Sequence, residues 1–271
     1  MKNNIITTVL LLSISLCSAQ SPWTREKGKS YIQLGFTSLN YNSYQLDGNK
    51  IENIGDYSDN TIQVYAEYGI TNKLEALAVI PYKSISVDVP SNSSKNISGL
   101  GNVSLGLKYK LYDKNWKIST GINYEARTLK IDNDKRLSTG FNAATILPYV
   151  SVGSSKNKWY YFGNIGYGYM NNDYSDYLKA TFEVGYEVIK KGHLIFVLDT
   201  RNVIAKEDAF FTDTVRFPSY LDRQTYNAIG LKANYEFVKD KFGANFAAIG
   251  ATGIDNAPLA PTLNLGVYAK L

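Results

Sequence analysis

From Lys29 onward, apolar and polar residues alternate with a period of two. Ile62, Val64, Ala66 and Tyr68 stand against Thr61, Gln63 and Glu67. Val103, Leu105, Leu107, Tyr109 and Leu111 stand against Asn102, Ser104, Gly106, Lys108 and Lys110. Leu178, Ala180, Phe182, Val184, Tyr186 and Val188 repeat the arrangement against Lys179, Thr181, Glu183, Gly185 and Glu187. Successive side chains of a strand point to opposite faces, so each such segment has one apolar and one polar face. Twelve segments follow this rule, at about 29–42, 58–69, 74–88, 99–111, 116–130, 138–153, 159–170, 177–189, 193–203, 225–237, 242–251 and 262–271. Ten or fourteen strands stay open if one hairpin is divided differently. Most segments are about twice as long as the usual strand of about 5–6 residues in soluble proteins.

The connections sort by length. Links 43–57, 89–98, 131–137, 171–176, 204–224 and 252–261 are long or polar, whereas Ile70–Lys73, Tyr112–Asn115, Ser154–Lys158, Lys190–Gly192 and Val238–Lys241 are tight. Short turns rich in Asn, Asp, Gly and Lys join antiparallel neighbours. All short turns therefore lie at one end of the sheet and all long loops at the other. A soluble sandwich has no reason to sort its loops this way, whereas an outer-membrane barrel has short periplasmic turns and longer extracellular loops. Lipid also explains strand length, since a tilted strand needs roughly 9–11 residues to cross the hydrocarbon, and closure removes edges that lipid could not satisfy. The apolar set is then expected to face lipid and the polar set the lumen. Trp116, Trp159 and Phe242 directly follow tight turns, while Tyr68, Tyr109 and Tyr235 approach them, as an aromatic girdle at one interface requires. The fold class is thus all-β, a transmembrane antiparallel barrel of about twelve strands in the bacterial outer membrane, spanning 29–271.

Composition narrows the remaining classes. The 271 residues include 22 Tyr and 21 Gly but 2 Met, 1 His and 1 Cys, with a formal charge of +5. No apolar run reaches the roughly 18 residues of a membrane helix. One cysteine cannot pair within the chain, and His- or Cys-rich metal chemistry lacks its ligands. No cofactor is expected. The modest charge, without a Lys/Arg block, argues against nucleic acid as a partner. At the N-terminus, Lys2 precedes the apolar stretch Ile5–Leu16 and the small residues Cys17-Ser18-Ala19. This predicts a secretory leader over 1–19, removed after Ala19, followed by a short periplasmic segment at 20–28. The rival, a lipoprotein acylated on Cys17, wants a small residue before the cysteine, where Leu16 stands.

Glu67-Tyr68-Gly69-Ile70-Thr71-Asn72-Lys73-Leu74-Glu75, running on to Ile80-Pro81-Tyr82, and Gly99-Leu100-Gly101-Asn102-Val103-Ser104-Leu105-Gly106-Leu107-Lys108-Tyr109 carry a family resemblance. Together they resemble the outer-membrane barrel family labelled transporter, or MetA-pathway of phenol degradation. Asn102 stands where that family commonly has Asp. The resemblance covers about 60–111 and implies a barrel that takes up aromatic compounds; its residues are scaffold and identify no substrate. The terminal alternation Leu263, Leu265, Val267, Ala269, Leu271 is similar to the strand by which the barrel-assembly machinery recognises its clients, with Leu271 in place of the usual aromatic.

Polar strand faces carry seven acids (Glu67, Glu75, Glu125, Glu183, Glu187, Asp199, Glu236) and seven bases (Lys108, Lys110, Lys117, Arg127, Lys179, Arg201, Lys232). A strongly ion-selective pore should show an excess of one sign. Two readings stand: ion pairs that partly fill a narrow lumen, or a polar constriction lined by Glu125, Arg127, Asp199 and Arg201. The longest link, Ile204–Gln224, holds Phe210, Phe211, Phe217 and Tyr220; it either folds into the mouth as a plug or ligand platform, or packs its aromatics on neighbouring loops. The first loop, Ser43–Tyr57, reads as a plain hairpin excursion. A barrel lipid hydrolase would need His193 near the outer leaflet with a serine in reach, yet His193 follows the turn Lys190–Gly192 and no G-x-S-x-G elbow occurs. Gly99-Leu100-Gly101 opens a strand and not a helix, so it is no phosphate loop. The expected function is passive passage of small, hydrophobic or aromatic molecules. Its rivals are a non-transporting surface-binding barrel and the hydrolase.

Overall fold

The alternating segments pair with their chain neighbours, antiparallel throughout, and the last closes on the first. The computed structural model describes residues 20–89, 94–204 and 218–271. Its barrel strands are β1 (Ser30–Leu46), β2 (Asn49–Gly69), β3 (Leu74–Asp88), β4 (Lys95–Leu100 continued by Val103–Asp113) and β5 (Lys117–Ala126). β6 (Thr145–Lys156), β7 (Trp159–Met170), β8 (Asp176–Ile189) and β9 (Gly192–Ile204) follow. β10 (Thr225–Val238), β11 (Phe242–Asp255) and β12 (Thr262–Lys270) complete the ring. Closure runs from Tyr31 opposite Lys270 to Leu39 opposite Thr262. At the rim Ser30 and Leu271 exchange two backbone hydrogen bonds of 3.0 and 2.9 Å. The ring thereby satisfies its own backbone, the condition for a sheet in lipid.

Two stretches differ from the sequence expectation. Ser43–Tyr57, expected as a hairpin excursion outside the strands, is a hairpin that continues the β1–β2 ladder itself to a two-residue turn at Asp47-Gly48, with φ of 46° and 77°. Asp-Gly with both residues left-handed is the hairpin turn whose twist matches the strands. This part stands beyond the lipid, so neither of its faces needs to be apolar and the alternation fades although pairing continues. Conversely, the segment expected to run to 130 stops at Ala126 and the next begins only at Thr145. Between them Ile131–Asp132 pair with Leu137–Ser138 in a separate small hairpin. Side chains end the ladder here: the Thr128 hydroxyl donates to the Gly101 carbonyl, and the Asn102 amide lies 3.2, 2.9 and 3.2 Å from the carbonyls of Ala126, Phe141 and Ala143.

The outward set forms the expected belt. Leu105, Leu107 and Leu111 are 55, 47 and 57 % exposed, and Trp116, Trp159 and Phe242 beside the tight turns about half exposed. Trp116 meets Tyr161 edge-on at 5.7 Å, and Trp159 meets Tyr186 at 4.5 Å. The inner face is less uniformly polar than the alternation predicts. Tyr160 and Phe162 of β7 pack with Ile195 and Val197 of β9 on the lumen side, all nearly fully buried. Tyr31, Tyr65 and Tyr268 form a second inner cluster with Leu77. Four inner tyrosines lie directly opposite a glycine on the next strand: Tyr149 and Gly121, Tyr160 and Gly185, Tyr177 and Gly168, Tyr268 and Gly243. A methyl on Gly185 would sit 1.8 Å from the Tyr160 ring. At these four places the ring occupies the space that a glycine leaves on the facing strand.

Candidate functional site: a lumen closed from both ends

The segment Gln20–Lys27 does not trail away from the barrel but turns up into it from the tight-turn end. The chain reverses at Gly28, whose φ is 78°, and Gly28 donates to the Gly69 carbonyl at 2.8 Å. A Cβ on Gly69 would lie 2.0 Å from the Glu26 carbonyl oxygen, so only glycine lets the segment pass over the rim. Arg25 then reaches Glu67 (Nε to Oε2 2.6 Å), its backbone N–H donates to Glu75, and its guanidinium lies 4.9 Å from the Tyr31 ring centre. Lys108 bridges the two elements, 2.8 Å from Glu75 and 2.7 Å from the Trp23 carbonyl oxygen. Glu75 and Lys108 are wholly inaccessible to solvent. Trp23 sits edge-on against Tyr160 and Phe162 at 6.0 and 5.7 Å and covers the apolar patch on β7 and β9. Deeper still, Pro22 packs where Gly153 has no side chain, and the Ser151 hydroxyl donates to the Gln20 carbonyl.

Above Gln20 lies a cavity of about 600 Å³. Gln63, Asn123, Asn164 and Thr145 supply neutral polar wall, and Val79, Leu147 and Val197 apolar wall. Its roof is Phe141 and Tyr220, whose rings meet edge-on at 5.3 Å. Tyr220 donates to Asp59 at 2.7 Å, and Lys83 lies 3.1 Å from the same carboxylate and 5.3 Å from the Tyr220 ring centre. Burial, with the Asp59 charge adding to it, pushes the Tyr220 phenol well above its ordinary pKa and keeps it a neutral donor. A smaller cavity of about 340 Å³ shares Asp199 and Ile249 with the first. It lies where β11 and β12 part above the Ile249–Thr262 pair, and where Ala257–Pro258 bond to β1 instead.

The four residues considered for a constriction separate. Glu125 and Asp199 are on the cavity wall. Asp199 accepts from Thr181 at 2.6 Å and lies 3.9 Å from Lys179. Glu125 has no hydrogen bond or ion pair among the described residues. Arg201 is buried against rings, 3.9 Å from the Tyr177 ring centre and 5.2 Å from that of Phe141, and its charge acts on Glu125 and Lys179 of the cavity wall. Arg127 follows the end of β5, is exposed, and donates to Asn142 on the loop side. Of the aromatic loop, Tyr220 is in the mouth, while Phe210, Phe211 and Phe217 lie outside the described residues, as does the expected leader over 1–19. His193 is buried at the tight-turn end, between Glu187 and Asn234 on the adjoining strands. Two further inner pairs are Lys232 with Glu183 and Lys270 with Glu236. Sequence reasoning did not find the Gln20–Arg25 insertion. Its available signal was the apolar inner pair on both β7 and β9, which needs a cover that the strands themselves do not provide.

A closed ring with an apolar outer belt, an aromatic rim and a hydrogen-bonded lumen is an outer-membrane β-barrel. Solved structures agree on the fold. An outer membrane channel from Pseudomonas putida F1 matches with a TM-score of 0.72 at 16% identity, over 92% of this chain and 97% of that one. The KdgM porin matches with a TM-score of 0.51 at 8% identity, over 88% and 98% of the two chains. The NanC porin does so with a TM-score of 0.50 at 12% identity, over 89% and 100%. No curated protein sequence matches the chain. A family model described as "Putative MetA-pathway of phenol degradation" matches residues 34–251, and the chain belongs to that family of outer-membrane barrels.

Proposed function

We propose that the protein is a passive channel for small neutral molecules that combine an apolar body with a hydroxyl group, phenols among them. The observation that carries this reading is the lumen cavity of about 600 Å³, whose wall mixes apolar side chains with amides and the carboxylate of Glu125, which makes no hydrogen bond or close ion pair among the described residues and feels Arg201, Lys179 and Lys83 only at longer range. A carboxylate in such a place accepts a hydrogen bond from a hydroxyl, while Val79, Leu147 and Val197 offer apolar contact to a ring. Glu67, Glu75, Glu183, Asp199 and Glu236 each stand beside a cation, so acids and bases of the inner face largely balance and no field of one sign selects ions. The family description adds phenol degradation as the setting. Within the same reading, residues 1–19 are a secretory leader removed after Ala19, and β12 is the strand that the barrel-assembly machinery recognises.

The test is ion current through the reconstituted protein, with its block by hydroxylated aromatics compared with that by ring compounds of equal size lacking the hydroxyl. The hydroxylated compounds should block at lower concentration. Glu125→Ala should weaken that block about tenfold, the size of one hydrogen bond to a charged acceptor. A second reading, a filled barrel that transports nothing, is favoured by the inserted Gln20–Lys27 segment. Absence of both conductance and solute-dependent liposome swelling would decide for it.

A further inference from the structure

We infer that Asn164, on the wall of the central cavity, is a second solute subsite, and that it widens the class of ligand from hydroxyl compounds to neutral ring compounds bearing a carbonyl oxygen. The inference rests on the channel reading above and adds to it a station beyond Glu125.

Asn164 stands in the middle of β7 on the inner face and lines the cavity, yet it is only 6 % exposed. Neither its amide oxygen nor its amide nitrogen has a hydrogen-bond partner among the described residues. The two residues directly opposite are polar, but both are engaged. The Ser151 hydroxyl on β6 donates to the Gln20 carbonyl, and the Thr181 hydroxyl on β8 donates to Asp199 at 2.6 Å. Two positions away on the same face stand Phe162 and Gly166, which offer no polar side chain. Leu147 fills the space over Gly166, where a Cβ would lie 3.1 Å from its Cδ1. A buried donor or acceptor left unmet carries the full cost of its lost hydration, so each amide atom favours an occupant that answers it. Water answers both. A solute answers the nitrogen with a carbonyl or hydroxyl oxygen and the oxygen with a hydroxyl, while its ring lies on Leu147 or Val197 of the same wall.

This chemistry differs from that of Glu125. A carboxylate only accepts, so Glu125 holds hydroxyls and gives nothing to a carbonyl, whereas the Asn164 amide also donates. The two stations are in series. Glu125 lies opposite Thr145 on β6, and Asn164 lies opposite Ser151 on the same strand, six residues nearer the tight turns. At about 3.3 Å per residue they stand roughly 20 Å apart along the strands. Leu147, between them on the inner face of β6, offers apolar contact on the way. Weak sites in series let a solute bind firmly enough to enter and loosely enough to leave, as passage through a narrow lumen requires.

The experiment measures block of the ion current through the reconstituted protein by phenol, benzaldehyde and toluene, rings of similar size that carry a hydroxyl, a carbonyl and neither. In wild type, phenol and benzaldehyde should block at lower concentration than toluene. Asn164→Leu should raise the benzaldehyde concentration needed by about three- to tenfold, the size of one neutral hydrogen bond, and should move phenol less, because Glu125 still holds it. Asn164→Asp keeps an acceptor and loses the donor, so it should lose the benzaldehyde block and keep that by phenol. Glu125→Ala should do the reverse and weaken phenol more than benzaldehyde. An asparagine with a merely structural role would move all three probes together, and that result overturns the subsite while leaving the channel intact. Equal block of wild type by benzaldehyde and toluene overturns it as well. Should Asn164→Leu fail to assemble, Asn164→Asp carries the test alone. Absence of ion current from the folded wild type instead overturns the channel reading, and the subsite with it.

Discussion

Two residues show how single side chains decide this fold. Gly185 lies under the Tyr160 ring, with 1.8 Å between a built methyl and the ring edge, and the ring itself is held by Phe162, Ile195 and Trp23. The neighbours leave the ring nowhere to go, so Gly185→Ala is an overpacking change that should cost about 1–3 kcal/mol. Urea unfolding of the barrel from liposomes checks this. Combination with Tyr160→Ala should be distinctly non-additive, because the smaller side chain removes the clash. Asn102 is the second case. Its amide nitrogen lies within 3.2 Å of the carbonyl oxygens of Ala126 at the end of β5 and of Phe141 and Ala143 before β6. Only a donor can serve there. The aspartate common in the family would set a charge among acceptors, so Asn102→Asp should destabilise by about 1–3 kcal/mol and loosen the Arg127–Ala144 connection. Faster proteolysis confined to residues 127–144 would report the second effect. The departure from the family pattern at this residue therefore has a local partner set that fits asparagine.

Among the elements, the β1–β2 hairpin tests where the lipid ends. Its outer part depends on the Asp47-Gly48 turn, whose amides also dock on Asn256 (3.2 Å) and Asp255 (2.9 Å). A β-branched residue at Gly48, with φ at 77°, costs about 1–2 kcal/mol. Gly48→Val should open residues 43–57 to protease while the boiling-dependent gel mobility of the barrel stays unchanged. An equal loss of both would mean that the extension is part of the membrane-spanning unit. The same hairpin marks the limit of what alternation conveys. Period two reports a difference between the two sides of a strand, so all twelve spans were readable where lipid lies on one side. It disappears where water lies on both, as from Ser43 to Tyr57, and weakens where both sides are apolar, as in β7 and β9. Of the candidate site, the inner charges were readable as a balanced set, and Glu125 and Asp199 do reach one cavity. Arg127 and the Gln20–Arg25 insertion were not, because each depends on side chains distant in sequence: Asn142 for the first, Glu67, Glu75 and Lys108 for the second.

Across the barrel as a whole, one inequality governs stability: the outer face must be cheaper in lipid than in water, while the inner face must satisfy itself. Leu107 lies in the outward belt, opposite Ile122 on β5 and Ala76 on β3, six residues above the end of β4 at Asp113. A strand rising about 3.3 Å per residue and tilted by about 40° carries it roughly 15 Å above the rim, close to the bilayer midplane. An arginine there is expected to cost about 2–4 kcal/mol. One residue along the strand, Lys108 has no exposure to solvent, and its ammonium is answered by Glu75 and the Trp23 carbonyl. Adjacent positions thus tolerate opposite chemistry, and the difference is set by the face alone. Leu107→Arg should lower the folded fraction in liposomes by that amount, and thinner bilayers, which bring the guanidinium nearer the headgroups, should recover part of it. Insensitivity of Leu107→Arg to bilayer thickness would mean that this face does not meet hydrocarbon, and the assignment of inside and outside would have to be reversed.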